Sequence, residues 1–409
     1  MIRNVLTAKQ VAKRLGVQVE TVYAYVSRGV LDRVVAADGR TSRFDAAEVE
    51  RLARHGRPRR ESSRVGTVDV SLATSITEIH DDRLLFRGHN AVALARDSTF
   101  EAVAELLWTG TLPDRVVWPA PPLGVRVARA AASPLPAATA PADRFAVVTA
   151  ALACAHPLRT DLRLPAVTAH GRALITSFAQ LLPRLSAVKQ IEGPGKNGQL
   201  ALADRLWHGV SPLQATRERV ALLNAALVLL ADHELATSTL AARVAASTRA
   251  DPFAVVMTGL GALSGPLHGK AALAVHRMFE RAAESSPELA LAHVDDGAPV
   301  AVGFGHPVYR GSDPRAAYLL TALAPLMKPK DRRLMEDVTK AASRAGWAKP
   351  NVDFALGALA FALDMPFGAT EAIFATARSA GWIAHALEEY GEAPLRFRSR
   401  AVYIGPGTA

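Results

Sequence analysis

The sequence predicts a mainly α protein, a small helix-turn-helix unit followed by a large helix-rich body. Three observations predict it. Alanine is abundant and aromatics make up only 6% of the residues, a balance that favours closely packed helices. Long apolar runs are separated by glycine and proline joints, at Gly110 with Pro113, Gly209 with Pro212 and Gly265 with Pro266. The amino-terminal end carries two short helical runs broken at a glycine. At 409 residues the chain is too long for one small domain, and a prior of roughly 150 residues per domain gives two or three.

Thr7 is expected to cap a first helix over Ala8 to Leu15, which Gly16 stops. Thr21 precedes a second run, Val22 to Arg28, with Val22, Tyr23 and Val26 near helical spacing, and Gly29 ends it. From Val34 to Phe44 the text is β-prone around Asp38-Gly39, a hairpin turn signal. A third helix is expected over Asp45 to Arg54. The text LTAKQVAKRLGVQVETVYAYVSRGVL, followed by DGRTSRFDAAEVERL, resembles the excisionase and MerR-like winged helix-turn-helix family. That resemblance implies a DNA-binding unit at residues 1–54, with Thr21 and Tyr25 near base edges and Arg28 near phosphate. Residues 55–65 read as a linker: Gly, Pro and Ser with Arg57, Arg59, Arg60 and Arg64, either a solvated tether or an arm on phosphates.

The charge is distributed to match. The net charge is +10, yet the first 65 residues hold 14 Lys and Arg against 7 Asp and Glu, leaving 34 against 31 in the rest. A basic end on a near-neutral body points to an anionic partner for that end, with nucleic acid first. The amino terminus lacks the unbroken apolar core of a signal peptide. The apolar stretches near Phe145, Ala226 and Phe253 are broken before about 18 residues, so no membrane span is expected. The one cysteine, Cys154, cannot form an internal disulfide and fits a reducing cytoplasm. It lies in an apolar run and is expected to be a buried small hydrophobe.

Beyond residue 66 one β-prone stretch, Thr67 to Ile79, precedes helical runs. The Pro- and Ala-rich patch from Pro119 to Pro141 is expected to be a surface excursion. Three short segments put titratable residues among glycines, prolines or a helix start. In Gly265-Pro266-Leu267-His268-Gly269 the histidine sits in a turn ahead of a helix. There the dipole disfavours positive charge, so a neutral ring can donate to an oxyanion; backbone bonding of a turn histidine explains the same residues. In Gly303-Phe304-Gly305-His306-Pro307-Val308-Tyr309-Arg310, followed by Asp313-Pro314-Arg315, a histidine and two arginines make either an anion site or a solvated loop. In Asn351-Val352-Asp353-Phe354 the aspartate falls in a helix's first turn, where it can simply complement the dipole.

Taken together, GPLHGK, GFGHPVYRGSDPRA and NVDFALG, in that order, resemble the citrate synthase family. ATSITEIHDDRLLFRGH, FEAVAELLWTGTLP, ADHELATST, FATARSAGWIAHALEEY and RSRAVYIG extend the similarity over Gly66 to Gly405, with a weaker middle from Arg115 to Gln199. The resemblance implies a helical fold with a large domain, residues 66–268 and 369–409, and a small domain, 269–368. It implies acyl-CoA and oxaloacetate as substrates, no cofactor beyond the coenzyme A thioester itself, no metal, and a homodimer or higher oligomer. Asp353 would take the α-proton, His268 would donate to the thioester oxygen, and His306 would protonate the ketone oxygen. His233, Arg315, Arg378 and Arg398 would bind oxaloacetate, Arg398 from the neighbouring subunit, and Arg310 would meet the CoA phosphates.

The chain departs from the common family text at Lys270-Ala271-Ala272, at Ala355-Leu356-Gly357 and at Ser399. These differences leave acetyl-CoA, propionyl-CoA and the reverse cleavage of citryl-CoA open. Two other functions remain beside the enzyme: a transcription regulator sensing a metabolite, and a front domain serving only interaction or oligomerisation.

Overall fold

A computed structural model describes residues 5–15, 17–27, 31–35, 42–46, 49, 70–114, 116, 118, 122–185, 201–292 and 301–398. The chain divides into two units, residues 1–72 and 73–409.

In the first unit β1 (Val5–Thr7), α1 (Ala8–Leu15), α2 (Val19–Ser27), β2 (Val34–Val35) and β3 (Ser42–Asp45) follow in order. The strands form an antiparallel sheet ordered β1-β3-β2, with Leu6 opposite Phe44 and Val34 opposite Arg43. Thr7 starts α1 as expected, and reciprocally: its hydroxyl accepts from Gln10 N, while its own N–H donates to Gln10 Oε1 at 2.8 Å. Val11, Ala12, Val22, Tyr25, Leu31, Phe44 and Val49 make the core.

Two expectations shift here. The second helix begins at Val19, three residues ahead of Val22, because the carbonyl of Gln18 accepts from both Thr21 N and Val22 N and closes a turn earlier. Asp45 belongs to β3, opposite Val5, not to a third helix. Ala46 and Val49 are helical, while the rest of Asp45 to Arg54, the linker 55–65 and Arg28 lie outside the described residues.

The second unit opens with an antiparallel sheet, β4 (Thr77–His80), β5 (Arg83–Phe86) and β6 (His89–Asn90). Helices follow: α3 (Ala91–Asp97), α4 (Phe100–Thr109), α5 (Pro122–Ala132), α6 (Pro141–Ala155), α7 (Leu164–Leu181), α8 (Ala201–Val210), α9 (Arg217–Leu230), α10 (Thr237–Ser247) and α11 (Pro252–Leu263). Then come α12 (Ala271–Glu284), α13 (Pro287–Ala292), α14 (Pro314–Leu323), α15 (Pro329–Arg344), α16 (Val352–Ala362) and α17 (Ala369–Gly391). None of the described helices is long and apolar enough to cross a membrane.

The core is organised by α17. This 23-residue helix is buried along nearly its whole length and packs against α4 and α6 to α11. A helix buried all round has no polar face to spare, so its Arg378, His385 and Glu389 need partners inside the protein. Helices α12 to α16 pack largely on one another: α12 against α13, α15 and α16, and α14 against α16. The chain enters this cluster just past Gly269 and leaves it at Gly368, which caps α17 at φ 92°.

Two further expectations are corrected. Pro119 to Pro141 is no mere excursion, since it contains α5, whose Val125, Ala128 and Ala132 are buried against the core. Their spacing of three and four residues is an amphipathic helix that the prolines around it disguise. Cys154 is exposed. The core face of α6 is Phe145, Val148 and Leu152, and a residue two past Leu152 lies about 200° round the helix.

Asp251 carries a local test. Its Oδ1 accepts from Phe253 N and Ala254 N at the start of α11, while Oδ2 holds the Arg159 guanidinium at 2.7 Å. Asp251→Ala is expected to cost about 1–2 kcal/mol in denaturant unfolding, since the cap is lost. Arg159→Ala, which removes only a half-exposed ion pair, is expected to cost about 0.2–1 kcal/mol. Equal losses would mean that the pair, and not the cap, holds the helix start.

Candidate active site

Past the end of helix α9 comes the segment Asp232-His233-Glu234, with Asp232 and His233 buried and half-buried Glu234 at φ 49°. Burial pushes Asp232 up, but the His385 ring at 3.3 Å and the Thr77 hydroxyl at 2.6 Å hold it below the usual carboxylate range. His233 is buried beside it, its Nε2 2.9 Å from the Tyr309 hydroxyl and its ring centre 4.9 Å from that of His306. Burial and the positive charges of Arg315 and Arg378 press His233 well below its ordinary value, so it is neutral.

The loop before α14 supplies His306 and Tyr309. Gly303 and Gly305, at φ 85° and 73°, take conformations that side chains resist and let this loop run beside the start of α16. Asn351 stitches the two together: its N–H donates to Gly303 O at 2.9 Å and its side chain to Gly305 O at 2.8 Å. The same side chain caps α16 by accepting from Asp353 N and Phe354 N. Val308 N–H donates to His306 Nδ1 at 3.2 Å, which assigns the ring proton to Nε2. Burial, then Arg315, lower His306 to about 4.

His268 lies in the turn ahead of α12, its N–H bonded to Gly265 O. Its Nε2 is 2.7 Å from the hydroxyl of buried Ser238, which also takes the Trp382 indole N–H at 3.3 Å. Among the described contacts His268 Nε2 is the acceptor for that hydroxyl proton, so the ring carries its own proton on Nδ1. Burial and Arg378 lower His268 to about 4. Both rings are therefore neutral hydrogen-bond donors at neutral pH.

Two arginines face this cluster from the core. Asp313 grips Arg315 bidentately, at 3.0 Å to Nε and 2.8 Å to Nη2, and the Nη1 edge is left over. Arg378 gives Nε to Leu230 O at 2.9 Å, and its Nη1 is buried with no partner. Burial lowers Arg378 to about 10, so it remains charged at neutral pH. A buried guanidinium nitrogen left unpartnered is costly unless a ligand satisfies it. Half-buried Asp353 sits in the first turn of α16; burial and the neighbouring Asp313 raise it to about 6 against the pull of Arg315 and Arg378.

The structure thus brings together His233, His268, His306, Arg315, Arg378 and Asp353. Arg310 and Arg398 are exposed and join none of these contacts among the described residues. Tyr309, Ser238 and Asp313 also belong here, and the sequence alone assigns none of them a role. Asp313-Pro314 carries the signature of a helix start, a signal for its cap but not for its grip on Arg315. Ser238 gave no signal, since a serine in a helical run is unremarkable until a histidine arrives from 30 residues on. Among the described residues no group of three His, Cys, Asp or Glu is arranged to hold a metal. The arrangement can bind a dicarboxylate, donate to two developing oxyanions and accept one proton. In the small unit the Tyr25 ring is buried in the core, whereas Tyr23 is the aromatic that α2 exposes, and Thr21 is half-buried. A core side chain does not reach base edges, which corrects the expectation for Tyr25.

Comparison with known proteins gives a consistent result. The family described as citrate synthase, C-terminal domain, matches residues 66–400, and a helix-turn-helix domain family matches residues 5–57. Citrate synthase of Mycolicibacterium smegmatis is 30% identical over 349 residues, covering 81% of this chain and 92% of that protein. Citrate synthase 2 of Bacillus subtilis is 28% identical over 363 residues, covering 82% and 94%. Citrate synthase from Thermotoga maritima superposes with a TM-score of 0.63 at 26% identity, covering 83% of this chain and 94% of that one. A ternary complex of carboxymethyl coenzyme A and oxaloacetate with citrate synthase from Thermoplasma acidophilum shares the fold, with a TM-score of 0.68 at 24% identity, covering 84% and 95%.

Proposed function

The chain belongs to the citrate synthase family, and on that premise we propose that it condenses the acyl group of a short acyl-CoA with oxaloacetate, releasing coenzyme A. The observation that carries this reading is the buried, unpartnered Nη1 of Arg378, a cation whose charge acts on His233, His268, Arg315 and Asp353 together. Two fixed cations suit the two carboxylates of oxaloacetate, because a guanidinium fork matches a carboxylate. His306 Nε2–H then meets the ketone oxygen.

Asp353 takes the α-proton of the thioester, and the electron pair moves onto the thioester oxygen, to which His268 Nδ1–H donates. A neutral imidazole suits that task, since it donates without first having to lose a charge. The enol carbon attacks the ketone carbon, and His306 supplies the proton to the oxygen that becomes the hydroxyl. Water then hydrolyses the citryl thioester to give the free acid and CoA. Exposed Arg310, on the loop of His306, is the candidate partner for the CoA phosphates. The departures at Lys270 and Ala355 fall beside His268 and Asp353, so the acyl pocket is where acetyl and propionyl are told apart. A lone cysteine supports a cytoplasmic setting.

The test is thiol release from acetyl-CoA and propionyl-CoA with oxaloacetate. Asp353→Asn is expected to lose about a thousandfold in kcat, within the range for a general base. The base must be ionised, and burial raises Asp353 to about 6. Activity is therefore expected to fall about tenfold per unit as pH drops below about 6, well before the histidines at about 4 gain protons. A limb at 4 would overturn the raised value of Asp353, since an ordinary aspartate and both histidines titrate there, and the Asp353→Asn loss would then decide its role as the base. No release with either thioester would favour citryl-CoA cleavage or a sensor.

Arg398 is exposed past the end of α17, which supports delivery into a second subunit's site and hence a homodimer. Co-expressed Asp353→Asn and Arg398→Leu chains are expected to recover activity that neither variant has alone, because one site of the mixed dimer then holds both residues. No recovery would mean that Arg398 serves its own chain.

The amino-terminal unit supports a second, additional activity, DNA binding. Its observations are the +7 charge of residues 1–65 and a helix-turn-helix whose α2 exposes Tyr23. The chain is expected to shift duplex DNA with an affinity that falls steeply between 50 and 200 mM salt, and to lose the shift without residues 1–65. Absence of any shift at low salt would leave the unit as an interaction module.

A further inference from the structure

The β4–β5 hairpin joins two parts of the site that the chemistry treats separately. Its strand β4 is docked on the Asp232-His233-Glu234 segment. Thr77 Oγ1 donates to Asp232 Oδ2 at 2.6 Å, and the Ile79 backbone N–H favours the charged form of the Glu234 carboxylate. Its turn is only two residues, Asp81 and Asp82, at φ 48° and 57°. Both values are positive, the tight hairpin turn whose twist matches the strands, and glycine or asparagine is at home there. Asp82 spends its carboxylate on the loop carrying His306 and Tyr309. Oδ1 accepts from Arg310 N–H and Oδ2 from Gly311 N–H, each at 2.7 Å. A Cβ on Gly311 would stand 2.7 Å from Asp82 Oδ2, so this approach needs a glycine.

A carboxylate across two consecutive backbone N–H groups is a charge-assisted, two-point grip. The loop has its other anchor one residue earlier, where the Tyr309 hydroxyl meets His233 Nε2. The hairpin therefore spans from the His233 segment to the His306 loop, and the spacing of the two rings depends on both anchors.

We propose that Asp82 is a positioning residue, whose carboxylate clamps the His306–Gly311 loop at the spacing from His233 that oxaloacetate requires. The inference rests on the oxaloacetate reading of the site. Asp82 touches no reacting atom; it acts through the loop backbone.

The test uses the full chain with Asp82→Gly, which keeps the turn easy and removes only the carboxylate, and Gly311→Ala, which pushes the carboxylate off from the other side. Amide exchange of the peptide holding Arg310 and Gly311 is expected to quicken about tenfold or more in both variants. KM for oxaloacetate is expected to rise about tenfold, kcat to fall less, and Tm to stay within about 2 °C of the parent. Unchanged exchange overturns the clamp, and faster exchange with unchanged KM overturns its positioning role. A raised KM with a fall in Tm in both variants also overturns it, as simple destabilisation. If the parent chain condenses nothing, the substrate reading fails, and the exchange measurement alone decides the clamp.

Discussion

Most of the site hangs on one buried ion pair, Asp313 with Arg315. Taking both charges out of water costs several kcal/mol per ion, and one close contact does not return that unless the remaining lone pairs are also used. Asp313 uses them. It accepts from Arg315 N as the cap of α14, grips the Arg315 guanidinium twice, and takes Val352 N–H at 3.0 Å. One carboxylate thus fixes where α14 begins, where α16 begins and which edge of Arg315 faces inward. Asp353 follows one residue after Val352, so its place is set by the same contact.

Burial, and after it the two buried arginines, sets the protonation of the groups around them. Their positive charge and the shortage of water keep His233, His268 and His306 neutral. Burial works in the opposite sense on Asp353, whose charged form loses more from desolvation than the arginines return. The same low-dielectric setting thus yields neutral donors and a carboxylate raised to about 6. A set of surface residues with the same names would have neither property.

Beneath this lies a second layer on α17. Buried Arg243 donates to His385 Nδ1 at 3.0 Å, which leaves the proton of His385 on Nε2, towards Asp232. Glu389 accepts from Arg243 and, bidentately at 2.7 Å, from Arg396 in the segment after α17. Polar side chains in an otherwise apolar helix are tolerated because they satisfy one another. They fix the helix in rotation, and with it the direction of Arg378.

Much of this was legible in the residues. Apolar runs bounded by glycine and proline marked α11 and α12, and Thr7 marked the start of α1, because periodicity and caps are local properties of the chain. Asn351 and Asp353 announced the first turn of α16 for the same reason. The three motifs and their order pointed to a family, which burial patterns alone would not have done. What the residues did not disclose was contact at long range. Nothing local in Ser238 points to His268, nothing in Asp82 to Gly311, and nothing in Tyr25, next to an equally plausible Tyr23, says which ring is inside. Composition does not place Cys154 or α5, because the direction of a helix face decides their burial. The sequence by itself therefore determined the helical class, several of the caps and the inventory of chemical groups. Only the tertiary structure decided which groups lose their water and which edges stay unpartnered, because desolvation and hydrogen bonding depend on neighbours that the chain brings from hundreds of residues away.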